Sequence, residues 1–296
     1  MKRHILFNFL FSLIIITAAN CKGEESGNDN DSNEIIPNVD KTFKFKNKLF
    51  SIPSPFHITD LIKEISTSYN YDLLNPTENK LNYSTTEKKA LNLGIYTADL
   101  GYTNVYEQFS HTTNYIKVVR SLSSDLQIMN AYTEEILSKL EENQHNKDTL
   151  NRIFAESYRE TDIYLTDNER GELAVLILTG AWTEGLYLMT RVCNENPNEL
   201  LLNRIGEQKY SLSNIIKLLS QYKMQKSESF SVLIDKLKEL EKTFNKVKIT
   251  YTYDKHIVLP NEKKTIILSN TKIEINQEVL KEISHKVKKL RDYIIK

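Results

Sequence analysis

The chain has 296 residues, with 39 basic and 39 acidic side chains and a formal net charge of zero. Balanced charge argues against a nucleic-acid-binding protein, which concentrates basic residues on one surface. Only 8 Gly and 6 Pro residues occur, and so few helix-breaking residues favour helices joined by short turns.

The N-terminus predicts a bacterial lipoprotein signal. The basic start MKRH and the apolar run ILFNFLFSLIIITAA are typical of a cleaved targeting segment. Cys21 follows at the position of a lipobox cysteine, although Asn20 and Ala18 depart from the commonest pattern. We expect residues 1–20 to be a signal peptide and Cys21 to carry lipid. The protein would then sit at the bacterial outer membrane, facing the periplasm or the cell surface; an ordinary secretory signal is the alternative.

Residues 21–57 predict an acidic, flexible tether followed by an extended lead-in. The stretch KGEESGNDNDSNE is too polar to bury a core, and SIPSPF contains two prolines. Acidic residues behind a lipidated cysteine also resemble the surface-export signals of Bacteroidota lipoproteins. The other cysteine, Cys193, is then left without a disulfide partner in the chain and is expected to be a buried side chain in an apolar helix.

Residues 58–247 predict a helical bundle, because apolar residues recur there at helical spacing. The run ELAVLILTGAWTEGLYLMTRVC is apolar on nearly every side, which predicts a helix in the centre of the bundle. A membrane span is the weaker alternative, since the run is short and contains Glu184. The other predicted helices are ITDLIKEISTSY, STTEKKALNLGIYTADLGYTNVYEQF, TNYIKVVRSLSSDLQIMNAYTEEILSKLEE, DTLNRIFAESYRETDIYLT, NPNELLLNRIGEQ, SLSNIIKLLSQYK and SFSVLIDKLKELEKTFNKV.

Residues 248–296 predict a small β-hairpin or meander and a final amphipathic helix, packed on the same domain. KITYTYDKHIVL and TIILSNTKIEI alternate with period two and are rich in β-branched residues. The last helix would be capped by Asn276. Its expected inward residues are Val279, Ile283, Val287, Leu290 and Ile294. The predicted fold class is therefore mostly α, a multi-helix bundle with one small β element near the C-terminus.

Two central helices repeat a pattern, GIYTADLGY from residue 94 and GAWTEGLY from residue 180. Each begins Gly, aliphatic, aromatic, Thr, and each carries an acid with a tyrosine three residues later on the same face. The repeat reflects either a duplicated hairpin or chance. Glycines inside helices allow close helix packing or leave room for a ligand. The candidate ligand-binding residues are Tyr96, Asp99, Tyr102, Trp182, Glu184 and Tyr187.

The two acids need partners if they face the core, because an ionised carboxylate is not stable when buried and unpaired. We expect Arg120, Arg159 or Arg191 to pair with Asp99 or Glu184. Two alternatives stay open. The carboxylates could face a ligand, or they could be the acid–base pair of a hydrolase, which requires both to line one open cleft.

Motifs of known catalytic sites are missing. The sequence has no GxSxG, GxGxxG, P-loop, HExxH or CxxC. Two ExxH pairs, Glu142 with His145 and Glu282 with His285, have the spacing of di-iron ligands but lie in polar stretches that predict solvent exposure. We therefore predict no metal, no cofactor and no catalytic residue.

The blocks ALNLGIYTADLGY and GAWTEGLYL resemble two blocks of an uncharacterised helical lipoprotein family of Bacteroidota. The resemblance covers the chain from about residue 58 onward, and it implies a mostly helical, periplasmic or surface-facing body without a known activity. The expected function is a lipid-anchored envelope module that binds a small molecule or a protein without catalysis. The alternatives are the Asp99/Glu184 hydrolase and a structural or assembly lipoprotein with a large apolar patch and no pocket. The oligomeric state stays open.

Overall fold

The computed structural model describes residues 42–45, 48–51, 55–66, 68–128, 131–143, 170–221, 227–259 and 264–296, with a few single positions between 143 and 170. The predicted signal peptide, Cys21 and most of the helix predicted over 149–166 lie outside the described residues.

The predicted fold class is confirmed: the chain is mostly helical, with a hairpin near the C-terminus and a final helix. The helices are α1 Pro55–Ile65, α2 Thr86–Val105, α3 Phe109–Asp125, α4 Ala131–Glu142, α5 Gly171–Glu195, α6 Glu199–Ser220, α7 Glu228–Phe244 and α8 Gln277–Ile295. The strands are β1 Thr42–Phe45, β2 Lys48–Ser51, β3 Lys248–Leu259 and β4 Lys264–Glu274.

Several predicted helix boundaries are wrong. The predicted helix across 113–142 ends at Asp125, because Gln127 adopts a left-handed conformation with φ 55° that a right-handed helix does not continue. Glu107, with φ 57°, similarly separates α2 from α3. Apolar spacing continues across both turns, so hydrophobic periodicity alone does not show them. The two helices predicted after residue 197 are one, α6.

Helix α5 is the centre of the bundle. Its largest interface is with α2, and α1, α6 and α8 also contact it. Among the described residues, α5 is the one helix long and apolar enough to cross a membrane, and its apolar stretch is wholly buried within the fold. That burial is typical of the core helix of a bundle. Cys193, near its end, is a buried free thiol.

Two antiparallel hairpins accompany the helices. The pair β1–β2 falls in the predicted extended lead-in, where no strand pairing was predicted. The pair β3–β4 falls where the sequence predicts it, and a bulge interrupts β3 between Tyr253 and Lys255. Its base packs on α6 at Gly206, where a Cβ would lie 2.4 Å from Ile273 Cγ2.

Helix α8 follows the second hairpin and begins as predicted. Asn276 Oδ1 accepts a hydrogen bond from the Val279 N–H at 2.8 Å. All five residues expected to point inward are buried, so the apolar face of α8 packs on the bundle against α5, α7 and α2.

Candidate functional site

The repeated blocks meet where α2 crosses α5, and the crossing has no space for side chains at two glycines. A Cβ on Gly94 would lie 1.9 Å from the Ile177 carbonyl oxygen, and a Cβ on Gly180 would lie 1.8 Å from the Leu91 carbonyl oxygen. Leu91 precedes Gly94 by three residues, just as Ile177 precedes Gly180. The contact is therefore reciprocal, with each helix presenting its glycine to the backbone of the other.

The same crossing brings the two acids of the repeat together. Contacts advance in the same direction along both helices, from Leu91 with Gly180 to Asp99 with Glu184, so the helices run side by side in parallel. Both acidic side chains have 0% exposed surface. Such burial requires a counter-charge or a proton.

The counter-charge is Arg291 from α8. Its Nε donates to Glu184 Oε2 at 2.6 Å, and its Nη2 donates to the Leu73 carbonyl oxygen at 2.9 Å. Its guanidinium carbon lies 4.3 Å from the centre of the Tyr187 ring, a cation–π arrangement. Arg291 is only 6% exposed, so the ion pair with Glu184 is a buried one.

The arginines expected from the sequence are not the partners. Arg120 binds Glu134 and Glu141, Arg191 lies 3.7 Å from Glu195, and Arg159 lies outside the described residues. The expected arginines lie nearer to the two acids in the sequence, whereas Arg291 is 107 residues from Glu184.

A signal for Arg291 was present in the last helix. Arg291 lies four residues after Val287 and three before Ile294, on the apolar stripe of α8. A charge on that stripe has to be buried when the stripe packs on α5.

The surroundings of Asp99 favour the protonated form of its carboxyl group. Burial raises the pKa of Asp99 well above its usual range, and the adjacent negative charge of Glu184 raises it further against the opposing effect of Arg291. The Asp99 and Glu184 side chains are electrostatic neighbours, and Asp99 Oδ1 and Glu184 Oε1 have no hydrogen-bond partner among the described residues. Two adjacent carboxylates repel each other, and the repulsion is strong where water is excluded. A protonated Asp99 removes that repulsion and leaves one anion opposite one cation.

Residues 68–83, which we call the covering segment, close this cluster from one side. The Asn75 N–H donates to Asp99 Oδ2 at 3.0 Å, and Leu73 supplies the carbonyl that Arg291 binds. Tyr115 Oη on α3 donates to the Asn75 carbonyl at 2.9 Å, and Asn75 Nδ2 donates to Tyr83 Oη at 3.0 Å. The segment thus contacts α2, α3 and α8 through buried hydrogen bonds.

The aromatic residues predicted to line a ligand site are core residues with partners in the protein. Tyr96 Oη donates to the Pro76 carbonyl at 2.8 Å, and Trp182 Nε1 donates to Gln208 Oε1 at 3.0 Å. The Tyr102 hydroxyl accepts from the Asn70 N–H at 3.2 Å.

Exposure of those aromatic side chains is low. Tyr96, Tyr102 and Trp182 are at most 1% exposed, and Tyr187 is 6% exposed. Gly94 and Gly180 therefore leave no room for a ligand, because the backbone of the facing helix occupies the space beside each of them. All six candidate residues are buried side chains of α2 or α5, but Trp182 contacts Gln208 on α6, and no hydrogen bond within the described residues joins it to the two acids.

The hydrolase alternative requires an accessible pair of acids. Asp99 and Glu184 do lie together, as that alternative expects, but both are fully buried beneath the covering segment. A substrate has no access to either carboxyl group in this structure. The arrangement is that of an interior ion cluster that joins α2, α5 and α8.

The ExxH pair of α8 is engaged in surface ion pairs. Glu282 accepts from Lys246 Nζ at 2.6 Å and from Thr243 Oγ1 at 2.9 Å, and its carboxylate lies 3.1 Å from Lys286 Nζ. Hydrogen bonds from Lys246, Lys286 and Thr243 lower the pKa of Glu282 to about 2. Among the described residues, no group of three His, Cys, Asp or Glu side chains could hold a metal ion.

Four of the eight exposed large hydrophobic side chains among the described residues lie on β3 of the C-terminal hairpin. Every residue from 250 to 258 is exposed. The exposed fractions are 58% for Tyr251, 60% for Tyr253, 40% for Ile257 and 55% for Val258. Within the described residues, β3 and β4 pair only with each other, so the outer edge of neither strand is paired with a further described strand. The sequence pattern predicts this hairpin, but no motif within it indicates a function.

Fold and site together define a helical bundle with a buried ion cluster and an exposed two-stranded hairpin. No known protein family, curated protein or solved structure matches this chain.

Proposed function

We propose that this protein is a lipid-anchored, non-catalytic module of the bacterial cell envelope that binds a protein partner through the exposed half of the β3–β4 hairpin. The observation that carries the proposal is the exposure of two tyrosines and two aliphatic side chains along β3. Contiguous exposed apolar surface is a mark of protein contact sites.

The shape of this surface favours a protein over a small molecule. Sites for small molecules are usually concave, whereas the hairpin offers open strand edges and exposed side chains. An open edge binds extended polypeptide by adding a strand, with main-chain hydrogen bonds for affinity and alternate side chains for specificity. The bulge in β3 disfavours strand addition at that edge, which leaves the outer edge of β4. The proposed partner therefore contributes an extended strand.

A photo-crosslinking amino acid in place of Tyr253 tests the hairpin as the binding element. We expect a discrete protein adduct in native membranes from position 253, because this side chain is 60% exposed on the hairpin. The matched control is the same amino acid at Leu81, which is 85% exposed but far along the chain. Changing Tyr251 and Val258 to Ser should abolish the adduct at 253, since these two side chains supply apolar contact area.

Two outcomes would contradict the binding proposal. One is the same set of adducts from positions 253 and 81, which would indicate random collisions. The other is an adduct that persists unchanged in the Tyr251→Ser, Val258→Ser variant. An adduct of twice the mass of this chain would show that the hairpin binds a second copy of the protein. An adduct with lipid alone would show that the hairpin contacts the membrane and not a protein partner.

The lipid anchor rests on the N-terminal sequence and has its own test. We expect Cys21→Ala to move the protein from the membrane fraction to the soluble fraction, because a single cysteine carries the proposed lipid. Cys193→Ala is the matched control, since Cys193 is the only other cysteine and is buried. Fractionation with metabolic labelling by a fatty acid measures both. Membrane association of the Cys21→Ala variant equal to that of the wild type would exclude the anchor.

A further inference from the structure

We propose that Asp99 and Glu184 share a single proton and that this proton keeps the covering segment, residues 68–83, closed over Arg291. Loss of the proton would release the segment and admit water to the cluster. The proposed device is independent of the hairpin and of the lipid anchor.

The hydrogen-bond partners locate the proton. Glu184 Oε2 and Asp99 Oδ2 have donors, Arg291 and the Asn75 N–H respectively. Glu184 Oε1 and Asp99 Oδ1 are buried and have no donor among the described residues. One hydrogen on Asp99 Oδ1, donated to Glu184 Oε1, satisfies both oxygens at once. Glu184 is the anion, because its other oxygen already accepts from the arginine.

Charge balance supports the same assignment. With one proton, the cluster holds one carboxylate and one guanidinium and is neutral. Without the proton, two carboxylates in contact face one guanidinium in a space that excludes water, and a net negative charge is buried. Water can solvate this buried negative charge only if part of the protein moves away from the cluster. The covering segment is the element that closes it from outside the three helices.

Other titratable groups around the cluster do not compete for this role. Tyr96 on α2, Tyr115 on α3, Tyr187 on α5 and Tyr69 and Tyr83 in the covering segment face the carboxyl groups or Arg291. Burial raises the pKa of each of these tyrosines, so each is neutral over the range in which a carboxyl group titrates. Arg291, from α8, is the facing cation.

The direction of the pH effect follows from proton linkage. Asp99 is protonated while the segment is closed, and it has an ordinary carboxyl pKa once the segment is open. Between these two pKa values each opening event releases one proton, so closure is strongest at low pH and weakens as pH rises. Opening should therefore increase by roughly tenfold per pH unit until the closed-state pKa of Asp99 is reached.

Hydrogen exchange of peptides from residues 68–83 tests this inference. At pH values above the ordinary carboxyl pKa of about 4, and after correction for intrinsic exchange, we expect opening of the wild-type segment to rise with pH. Asp99→Asn should remove that slope. Its amide group can donate to Glu184 and accept from the Asn75 N–H as the protonated acid does, but it has no proton to lose.

Asp72→Asn is the matched control, because Asp72 is an exposed acid within the covering segment itself. This variant should keep the wild-type slope, and peptides from α7 should show no slope in any variant. A second measurement on the wild type alone is the infrared carbonyl band of a buried protonated acid, which Asp99→Asn should remove. A wild-type segment whose opening does not vary with pH, or a missing carbonyl band, would overturn the proposal.

Discussion

Replacing Arg291 by Met should cost about 3 to 5 kcal/mol of unfolding free energy, which is the usual cost of removing one partner of a buried ion pair. Met has a similar length and is apolar, so the loss comes from the charge and its hydrogen bonds rather than from an empty space. The Glu184 carboxylate would be left buried without its cation. The Leu73 carbonyl would also lose its donor, which links the covering segment to α8. Urea unfolding of the two proteins measures the difference.

Two further variants separate the charge effect from a general effect of mutation. Arg204→Met removes a surface arginine paired with Glu207 at 2.6 Å and should cost at most about 1 kcal/mol. Adding Glu184→Gln to Arg291→Met should recover much of the lost stability, because no unpaired charge then stays buried. Equal losses for Arg291→Met and Arg204→Met would show that the buried cluster does not hold the bundle together.

Gly180→Ala should destabilise the protein by about 2 to 3 kcal/mol, at the upper end of the range for overpacked cores. The added Cβ would lie 1.8 Å from the Leu91 carbonyl oxygen, which is backbone and can move only if α2 and α5 separate. This loss outweighs the gain of up to about 1 kcal/mol in helix propensity that Ala has over Gly. Gly94→Ala should behave alike, since its Cβ would meet the Ile177 carbonyl oxygen.

The matched control for the crossing is the same substitution one and a half turns later in α5. A Cβ on Gly185 would lie 2.9 Å from Ile58 Cδ1, the end of a flexible side chain that can shift. Gly185→Ala should therefore change the unfolding free energy by less than about 1 kcal/mol, because helix propensity offsets the repacking. Thermal or urea unfolding of the three variants checks the order. Equal effects at Gly180 and Gly185 would contradict the close-packed crossing.

Both results bear on what the repeated blocks do. The glycines set the separation of α2 and α5, that separation brings Asp99 against Glu184, and Arg291 joins the pair to α8. In this arrangement the acids of the repeat determine how three helices meet. The surface available for binding lies elsewhere, on the hairpin formed by β3 and β4.

Local patterns in the sequence determined the class of the fold and much of its core. Spacing of apolar residues predicted helices and placed α5 at the centre, and period-two alternation predicted the C-terminal hairpin, because both patterns express burial on one face of a regular element. The N-cap at Asn276 is likewise a local property, since its side chain needs only the N–H three residues later. The sequence also predicted that Glu184 would need a cation, because burial of a charge has the same cost in any fold.

Only the tertiary structure shows which cation pairs with Glu184 and which groups surround Asp99 and Glu184. Arg291 reaches Glu184 across 107 residues of chain, a separation over which no local pattern carries information. Asp99 and Glu184 are neighbours because two glycines let two backbones approach, which depends on the crossing of α2 and α5 rather than on either helix alone. The covering segment is equally non-local, since its buried position is set by partners on α2, α3 and α8. The break at Gln127 escaped prediction, and the predicted helix that begins at residue 84 was continued to residue 109, past the turn at Glu107, because neither residue type favours a left-handed conformation strongly.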